Sequence, residues 1–405
     1  MNEEVTRPEW IGIDSCSPLE GQPQADPRKV LTMSRDPLLL GQRGQVRSFV
    51  RDLYQRLPLP VRRRLKVFRH THETPLHTML PLPLPETIHI DPSNLCNFRC
   101  VFCPTADKEL LASVHRPQGM MDFDLFTKII DELKSMTDRQ GRRLSLLHLY
   151  KDGEPLIHRR FPEMAAYAKR ADVAELVSTT SNGALLTEEL SIKLIESGLD
   201  QIRFSIIHVN ADGYRRLTRT FSDYERVRAN IAFLHGEKKR RKSRLHVLVK
   251  TNDSGLSEEE KGRFVKDFTP LADMLTIDTL MGWSLSEVKD FTLGVAVATG
   301  MDSVSPLRER RVCPEPFARL AVNFDGQVSV CCVDWSYGTI VGDLRTETLA
   351  EVWNGEKLRE FRLTHLEGRR EAIPACAHCQ YIMGAPLRRD LDKHASRLAS
   401  IYRGA

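Results

Sequence analysis

The sequence predicts an α/β fold: a parallel sheet with helical crossovers, curled into a partial (β/α)6 barrel and followed by a small cysteine-bearing domain. Three observations predict it. Six strand-like runs alternate with helix-like runs in one direction from residue 86 onward. The loops after those strands carry the chemically distinctive stretches, as they do in barrels. The nine cysteines fall into two groups about two hundred residues apart, with Cys16 alone outside them.

The strand "ETIHID" delivers a cysteine loop, and "DFDLFTKIIDELKSM" follows with apolar residues at helical spacing behind a cap at Asp122 or Asp124. "RLSLLHLY" is a strand ending in "KDGEPLIH", and "FPEMAAYAKRA" is a helix. "AELVSTTSNG" reads as a strand and turn, "TEELSIKLIESG" as a helix, and "DQIRFSII" as the next strand. "SDYERVRANIAFLHGEKK" is a long helix, "RLHVLVKTN" a strand, and "EEEKGRFVKDF" with "DMLTIDTL" one more helix and strand. Beyond residue 306, "FARLAVNFDGQVSVCCVDW" predicts a hairpin around Asp325-Gly326, and "TLAEVWNGEKLREFRLTHLEGRR" a helix. The boundaries so read are an N-terminal extension over 1–85, a core over 86–305, the second cysteine domain over 306–385 and a tail helix over 386–405.

Composition excludes several classes. With 405 residues, 41% hydrophobic and 28% charged, the chain is neither disordered nor fibrous. A net charge of +5 is too small at this length to imply nucleic acid. No apolar run is long enough to cross a membrane, and "MNEEVTRPEWIG" lacks the order of a secretory signal. The expected compartment is the cytoplasm, where thiols stay reduced and clustered cysteines read as metal ligands. "RSFVRDLYQRLPLPVRRRLKVFRH" is basic and amphipathic, a pattern read first as a surface helix and second as a segment that lies on an acidic membrane or partner.

"LCNFRCVFCPTAD", at 95–107, puts Cys96, Cys100 and Cys103 on one loop. A structural zinc site takes four ligands and is closed, whereas three thiolates leave one position open. That position is either on zinc or on one corner of an iron–sulfur cube. The spacing C-x3-C-x2-C resembles the signature of the radical SAM superfamily, and the resemblance runs from residue 86 to about 300. It implies a 4Fe–4S cluster on Cys96, Cys100 and Cys103 with S-adenosylmethionine on the fourth iron. It implies an adenine contact by the backbone at Phe102. The family's GGEP motif corresponds to "KDGEP", so Gly153, Glu154 and Pro155 match while Asp152 replaces the first glycine. That match implies contacts to the cofactor's amino group. "TTSNG" implies a ribose contact from Asn182, and "RFSII" a ribose or carboxylate contact from Ser205; Lys250 and Asn252 end the next strand. The chemistry so implied is reductive cleavage of S-adenosylmethionine to a 5′-deoxyadenosyl radical that abstracts hydrogen from an unactivated carbon.

The second group holds Cys313, Cys331, Cys332, Cys376 and Cys379. A zinc ribbon and an iron–sulfur cluster both suit four thiolates with a CxxC half-site. Cys331 and Cys332, as neighbours on an expected strand, point to opposite faces, so only one of them is a ready ligand. The arrangement from "VCPEP" to "CAHC", with Gly326 five positions before Cys331, resembles the SPASM/twitch extension of radical SAM enzymes. The resemblance implies one auxiliary 4Fe–4S cluster on Cys313, Cys331, Cys376 and Cys379, with Cys332 spare. It also implies the single-cluster twitch form, similar to 2-deoxy-scyllo-inosamine dehydrogenase-type enzymes. The expected substrate is a small hydroxylated molecule, a sugar or aminocyclitol, undergoing dehydrogenation, epimerisation or deoxygenation. An electron donor such as flavodoxin or ferredoxin, or a partner reductase, is implied with it. The rival readings are a peptide-modifying maturase and a non-catalytic zinc-binding interaction protein. Lys151, His148, Arg203 and His208 stand at or near strand ends, but each reads as well as a satisfied structural group, so no general base is assigned.

Overall fold

A computed structural model of the chain describes residues 74–404 apart from 222, 254, 298 and 301–305, all within the unit Pro58–Ala405. The basic segment at 47–70 lies outside the described residues. Strand β1 (Thr87–Ile90) has all four residues buried and runs into the cysteine loop. Helix α1 (Phe123–Gln140) starts at Asp122, whose carboxylate accepts from the amides of Asp124 and Leu125, and stops at Gly141 with φ 57°. Its apolar stripe, Phe126, Ile129, Ile130 and Leu133, is fully buried.

Then follow β2 (Leu146–His148), α2 (Phe161–Ala171), β3 (Val177–Ser181), α3 (Glu188–Glu196) and β4 (Gln201–Ile206). Next come α4 (Ala211–Thr218), α5 (Tyr224–Arg240), β5 (His246–Asn252), α6 (Glu258–Phe268) and β6 (Met274–Asp278). β4 and β5 alternate in burial. Ile202, Phe204, Val247 and Val249 are buried in one apolar cluster with Val227, Ile231 and Leu234 of α5. Each such side chain contributes roughly 1.5–3 kcal/mol by leaving water. The alternate set, Gln201, Arg203, Ser205, Leu248 and Lys250, is half-buried and faces the other side of the sheet.

β1 to β6 pair in parallel in sequence order, with His89 opposite His148, Thr180 opposite Arg203 and Ser205 opposite Lys250. The C-terminal hairpin, β7 (Arg319–Val322) and β8 (Gln327–Ser329), turns at Asp325-Gly326, where Gly326 has φ 91°. β7 lies parallel to β1, and β8 pairs antiparallel with β7 and with β9 (Ile340–Asp343). The described residues thus form one nine-stranded sheet, ordered β6-β5-β4-β3-β2-β1-β7-β8-β9.

Two expectations need correction. The helix read across "TLAEVWNGEKLREFRLTHLEGRR" is two, α7 (Leu349–Asn354) and α8 (Glu356–Leu366), broken at Gly355. A Cβ at Gly355 would lie 2.5 Å from the carbonyl of Glu351, so the chain turns there and no side chain fits. Cys331 and Cys332 do not sit on a strand, because β8 ends at Ser329 and the chain enters a turn. Strand alternation therefore does not separate them. Helix α9 (Ala395–Arg403) closes the chain.

Candidate iron–sulfur and cofactor site

The loop after β1 is anchored on both sides. Arg99 and Val101 donate their amides to the carbonyls of Thr218 and Leu217 at the end of α4, at 2.8 and 2.9 Å. Phe98, buried, meets Tyr214 of α4 edge-on. On the other side the loop after β2 packs against its backbone. Glu154 donates its amide to the carbonyl of Leu95 at 2.8 Å. Gly153 has φ 66°, and a Cβ there would sit 2.5 Å from the Leu95 carbonyl oxygen and 2.6 Å from that of Ser93. Glycine is required by both backbone conformation and space.

Glu154 acts through the backbone around it. Its carboxylate accepts from the amides of Leu156 at 3.1 Å and Asn182 at 2.7 Å, so it clamps the end of β3 to the end of β2. Burial pushes its carboxyl up to about 7 against these hydrogen bonds. Asn182 then turns toward the cysteine loop, donating to Asn97 Oδ1 at 2.7 Å with Cys96 Sγ at 4.0 Å, while its own Oδ1 accepts from Ala184. Pro155 opens a short 3₁₀ turn behind Glu154, and Phe102 lies half-buried between Cys100 and Cys103. Cys96, Cys100, Cys103, Phe102, Gly153, Glu154, Pro155 and Asn182 thus gather on adjoining loops. Ser205 does not join them: it pairs with Lys250 across β4 and β5, and among the described residues no hydrogen bond links it to the cysteine loop.

The Asp152 departure has a structural counterpart that sequence reading missed. Asp152 Oδ2 accepts from Arg116 Nη2 at 2.6 Å and Lys151 Nζ at 2.8 Å, and all three side chains are at most 1% exposed. Lys151 also donates to the carbonyl of Asp334 at 2.9 Å, and the Tyr337 ring lies under both cations. Asp91 completes the group by accepting the Asp152 amide at 3.3 Å. Burial, and then the neighbouring Asp152 charge, push its carboxyl up to about 7. The network joins the cofactor loop to a residue 183 positions away, so no local pattern reveals it.

The three loop thiols fit a cluster. Cys96 Sγ accepts from the Phe98 amide at 3.4 Å, and Cys103 Sγ lies 3.0 Å from the Thr105 hydroxyl. Burial raises all three thiols, with the Glu154 charge adding at Cys96, which reaches about 12, the other two thiols at Cys100, and Asp152 at Cys103. Such thiols give up their protons to a bound cation and not to water. Among the described residues no three His, Cys, Asp or Glu side chains close on a single metal ion. A cube asks for something else, one thiolate on each of several irons.

The second group is brought together from three stretches of chain. Cys313, Cys331, Cys376 and Cys379 line one cavity with Asp334, His365, Arg370 and Tyr381. Burial raises each of these thiols, Cys379 to about 11; Cys331 is raised first by its hydrogen bond with Cys332 and then by burial. Arg370 donates to the Cys376 carbonyl at 2.8 Å and that of Cys379 at 3.4 Å, fixing the CxxC turn. His365 Nδ1 accepts from the Cys313 amide at 3.4 Å. Cys332 does not line this cavity; its Sγ lies 3.9 Å from the Tyr381 hydroxyl.

The unassigned polar residues sort by their partners. His148 lies 2.6 Å from Ser178 Oγ and accepts from Arg203 at 2.6 Å, and burial drives its imidazole well below the ordinary range. His208 packs on Gly213, where a Cβ would come within 2.0 Å of its ring, and lies 3.5 Å from Glu260. It is a helix-packing residue. Lys250 lies 3.4 Å from Asp278, and Asn252 pairs with Asp278 at the end of β5.

Two cysteine sets on a partial barrel and its extension define an iron–sulfur protein. Residues 90–258 match the radical SAM superfamily, and residues 313–380 match the iron–sulfur cluster-binding SPASM domain. The chain therefore carries a radical SAM domain and, behind it, a SPASM domain. A 4Fe–4S cluster, S-adenosylmethionine and auxiliary iron–sulfur binding go with those domains.

A tungsten-containing aldehyde ferredoxin oxidoreductase cofactor-modifying protein of Pyrococcus furiosus is 23% identical over 325 residues, 72% of this chain and 86% of that protein. The crystal structure of Streptococcus suis SuiB bound to S-adenosylmethionine superposes with a TM-score of 0.54 at 12% identity, over 77% of this chain and 74% of that one. The crystal structure of BtrN with AdoMet and 2-DOIA gives a TM-score of 0.48 at 17% identity, over 75% of this chain and 98% of that one. Among the described residues no helix is long and apolar enough to cross a membrane.

Proposed function

We propose that the chain is a radical SAM enzyme that removes a hydrogen atom from a small hydroxylated molecule, a sugar or a related polyol, and passes an electron on through the second cysteine cavity. When bound, the clusters and S-adenosylmethionine supply the one-electron chemistry and the hydrogen-abstracting radical. In this reading Cys96, Cys100 and Cys103 hold the first cluster, and Cys313, Cys331, Cys376 and Cys379 the second.

The observation that carries the proposal is that the second cavity already has four thiols on its wall. Four protein ligands leave no corner for a substrate, which suits electron passage better than substrate binding. Glu154 and Asn182 hold the ends of β2 and β3 against the cysteine loop. The Arg116–Asp152–Lys151 network is itself shut off from water in the loop after β2. Tyr381 lines the second cavity and turns its hydroxyl toward Cys332, outside it. The Pyrococcus relative is named for modifying a cofactor, which supports a small-molecule substrate.

The test is isotope transfer. Anaerobically reconstituted protein, reduced with dithionite, is given S-adenosylmethionine and a panel of deuterated sugars and aminocyclitols. Deuterium in the recovered 5′-deoxyadenosine identifies the substrate and the carbon attacked. Intact protein that fails to cleave S-adenosylmethionine under these conditions overturns the proposal.

A further inference from the structure

The barrel strands turn one set of side chains toward the helices and the alternate set inward. On the inner face stand His89, His148, Arg203 and Lys250, brought together by the register of β1, β2, β4 and β5. Of these four groups, Arg203 is the one whose positive charge has no ion-pair partner among the described residues.

The pairs can be taken in turn. Lys250 is 3.4 Å from Asp278, and Arg319, near the start of the neighbouring strand, is 3.0 Å from Glu315. Arg203 has no such partner: among the described residues no carboxylate lies within ion-pair distance of it. Its Nη2 donates to His148 Nε2 at 2.6 Å, and its Nε is buried without an acceptor. His148 offers a lone pair and no charge, because burial and the nearby Arg203, His89 and Lys250 all keep its imidazole neutral. His89 differs: its Nδ1 lies 3.1 Å from the Tyr150 carbonyl oxygen, and the ring hydrogen-bonds the Cys332 thiol. Since a carbonyl oxygen only accepts, Nδ1 carries a proton, and Nε2 is the nitrogen left for Cys332.

A half-buried guanidinium whose Nε is shut off from water and has no acceptor or ion-paired carboxylate is left with unmet hydrogen-bonding capacity. Folds retain one where a ligand supplies the missing charge, and the planar fork of arginine suits carboxylate and phosphate oxygens. We infer that Arg203 is the anchor of an oxyanion subsite inside the barrel, so that the substrate carries a carboxylate or phosphate group as well as hydroxyls. This inference rests on the reading of the barrel as a substrate chamber, and it narrows that reading away from cationic aminocyclitols, which the same wall repels.

The experiment uses the full-length, anaerobically reconstituted holoprotein at low ionic strength. Isothermal titration calorimetry is run with inorganic phosphate in one arm and malonate in the other, on wild type, Arg203→Gln and Arg203→Lys. The expected result is binding of at least one anion to wild type, weakened about tenfold or more in Arg203→Gln and partly restored in Arg203→Lys. The stronger arm tells phosphate from carboxylate. The same anion raises the melting temperature of wild type, a second readout that needs no variant to fold. Equal binding by wild type and Arg203→Gln, or no binding and no thermal shift in wild type, overturns the subsite. S-adenosylmethionine cleavage by wild type, followed in parallel, separates the two claims. Cleavage without anion binding removes the subsite and leaves the radical chemistry, and anion binding without cleavage does the reverse.

Discussion

Replacing Asp152 by asparagine tests the buried network beneath the cofactor loop. Asp152 lies 2.6 Å from Arg116 and 2.8 Å from Lys151, with the three side chains shut off from water. Removing one partner of a buried pair costs about 3–5 kcal/mol, because the opposing charge stays behind. Asp91 offsets part of that loss. Its carboxyl stands at about 7 through burial and the repulsion of Asp152, and without that repulsion it ionises more readily beside the two cations. Each unit by which it falls returns about 1.4 kcal/mol. The net cost near neutrality is then on the order of 2–3 kcal/mol.

The pH dependence has a definite sign. A carboxyl raised on folding from 3.8 to about 7 favours the fold below the lower value, and the benefit disappears as pH rises to the upper one. Wild type therefore loses stability through that window, while Asp152→Asn, with Asp91 already ionised, loses less. Thermal unfolding of the anaerobic holoprotein, followed by circular dichroism at about pH 6 and about pH 8, measures both effects. The expected drop in melting temperature is on the order of 5 °C at the lower pH and smaller at the higher. An unchanged melting temperature, or a gap that widens as pH rises, refutes the network's proposed role.

Three further outcomes follow from the site. Gly153→Ala forces a left-handed backbone onto alanine and drives its Cβ into the carbonyls of Ser93 and Leu95, so iron and labile sulfide at the three-cysteine loop fall sharply while the second cluster persists. Electron paramagnetic resonance of the reduced protein distinguishes the two clusters. Cys331→Ala removes a wall of the second cavity and loses its iron, whereas Cys332→Ala keeps full iron content; elemental analysis of the reconstituted variants decides between them. Glu154→Gln cannot ionise and loses one of two acceptor oxygens, so S-adenosylmethionine binding measured by calorimetry weakens about tenfold, at about 1–2 kcal/mol. The same variant lacks the loss of stability that wild type shows as pH climbs from 4.5 to about 7, where burial has placed the Glu154 carboxyl.

The barrel was legible in the sequence because its signals are local. Alternating Ile202, Phe204 and Ile206 mark β4, Asp122 and Gly141 bracket α1, and Asp325-Gly326 turns the hairpin. The metal-binding character was legible because thiol spacing is itself a chemical statement. What escaped depends on contacts between distant segments. β9 is four residues with a glycine in the middle, and Gly342 is there because a Cβ would lie 2.4 Å from Val352 of α7. Helix α4 escaped because it is short and carries a glycine against His208. The Asp152 network needed Arg116 and Asp334, neither of which any motif marks. Cys331 and Cys332 were separated on the argument of a strand that ends two residues too early for it to apply.

The pairing of β7 with β1 makes the two halves of the described chain structurally interdependent. The first barrel strand, which leads into the three-cysteine loop, receives hydrogen bonds on one flank from β2 and on the other from a segment more than two hundred residues later. A fragment truncated before Arg319 leaves that flank as a raw edge, open to any passing strand. Neither the SPASM domain nor the barrel is a detachable cassette, and domain-swap chimeras that join at the apparent linker inherit an unsealed seam beside the cofactor.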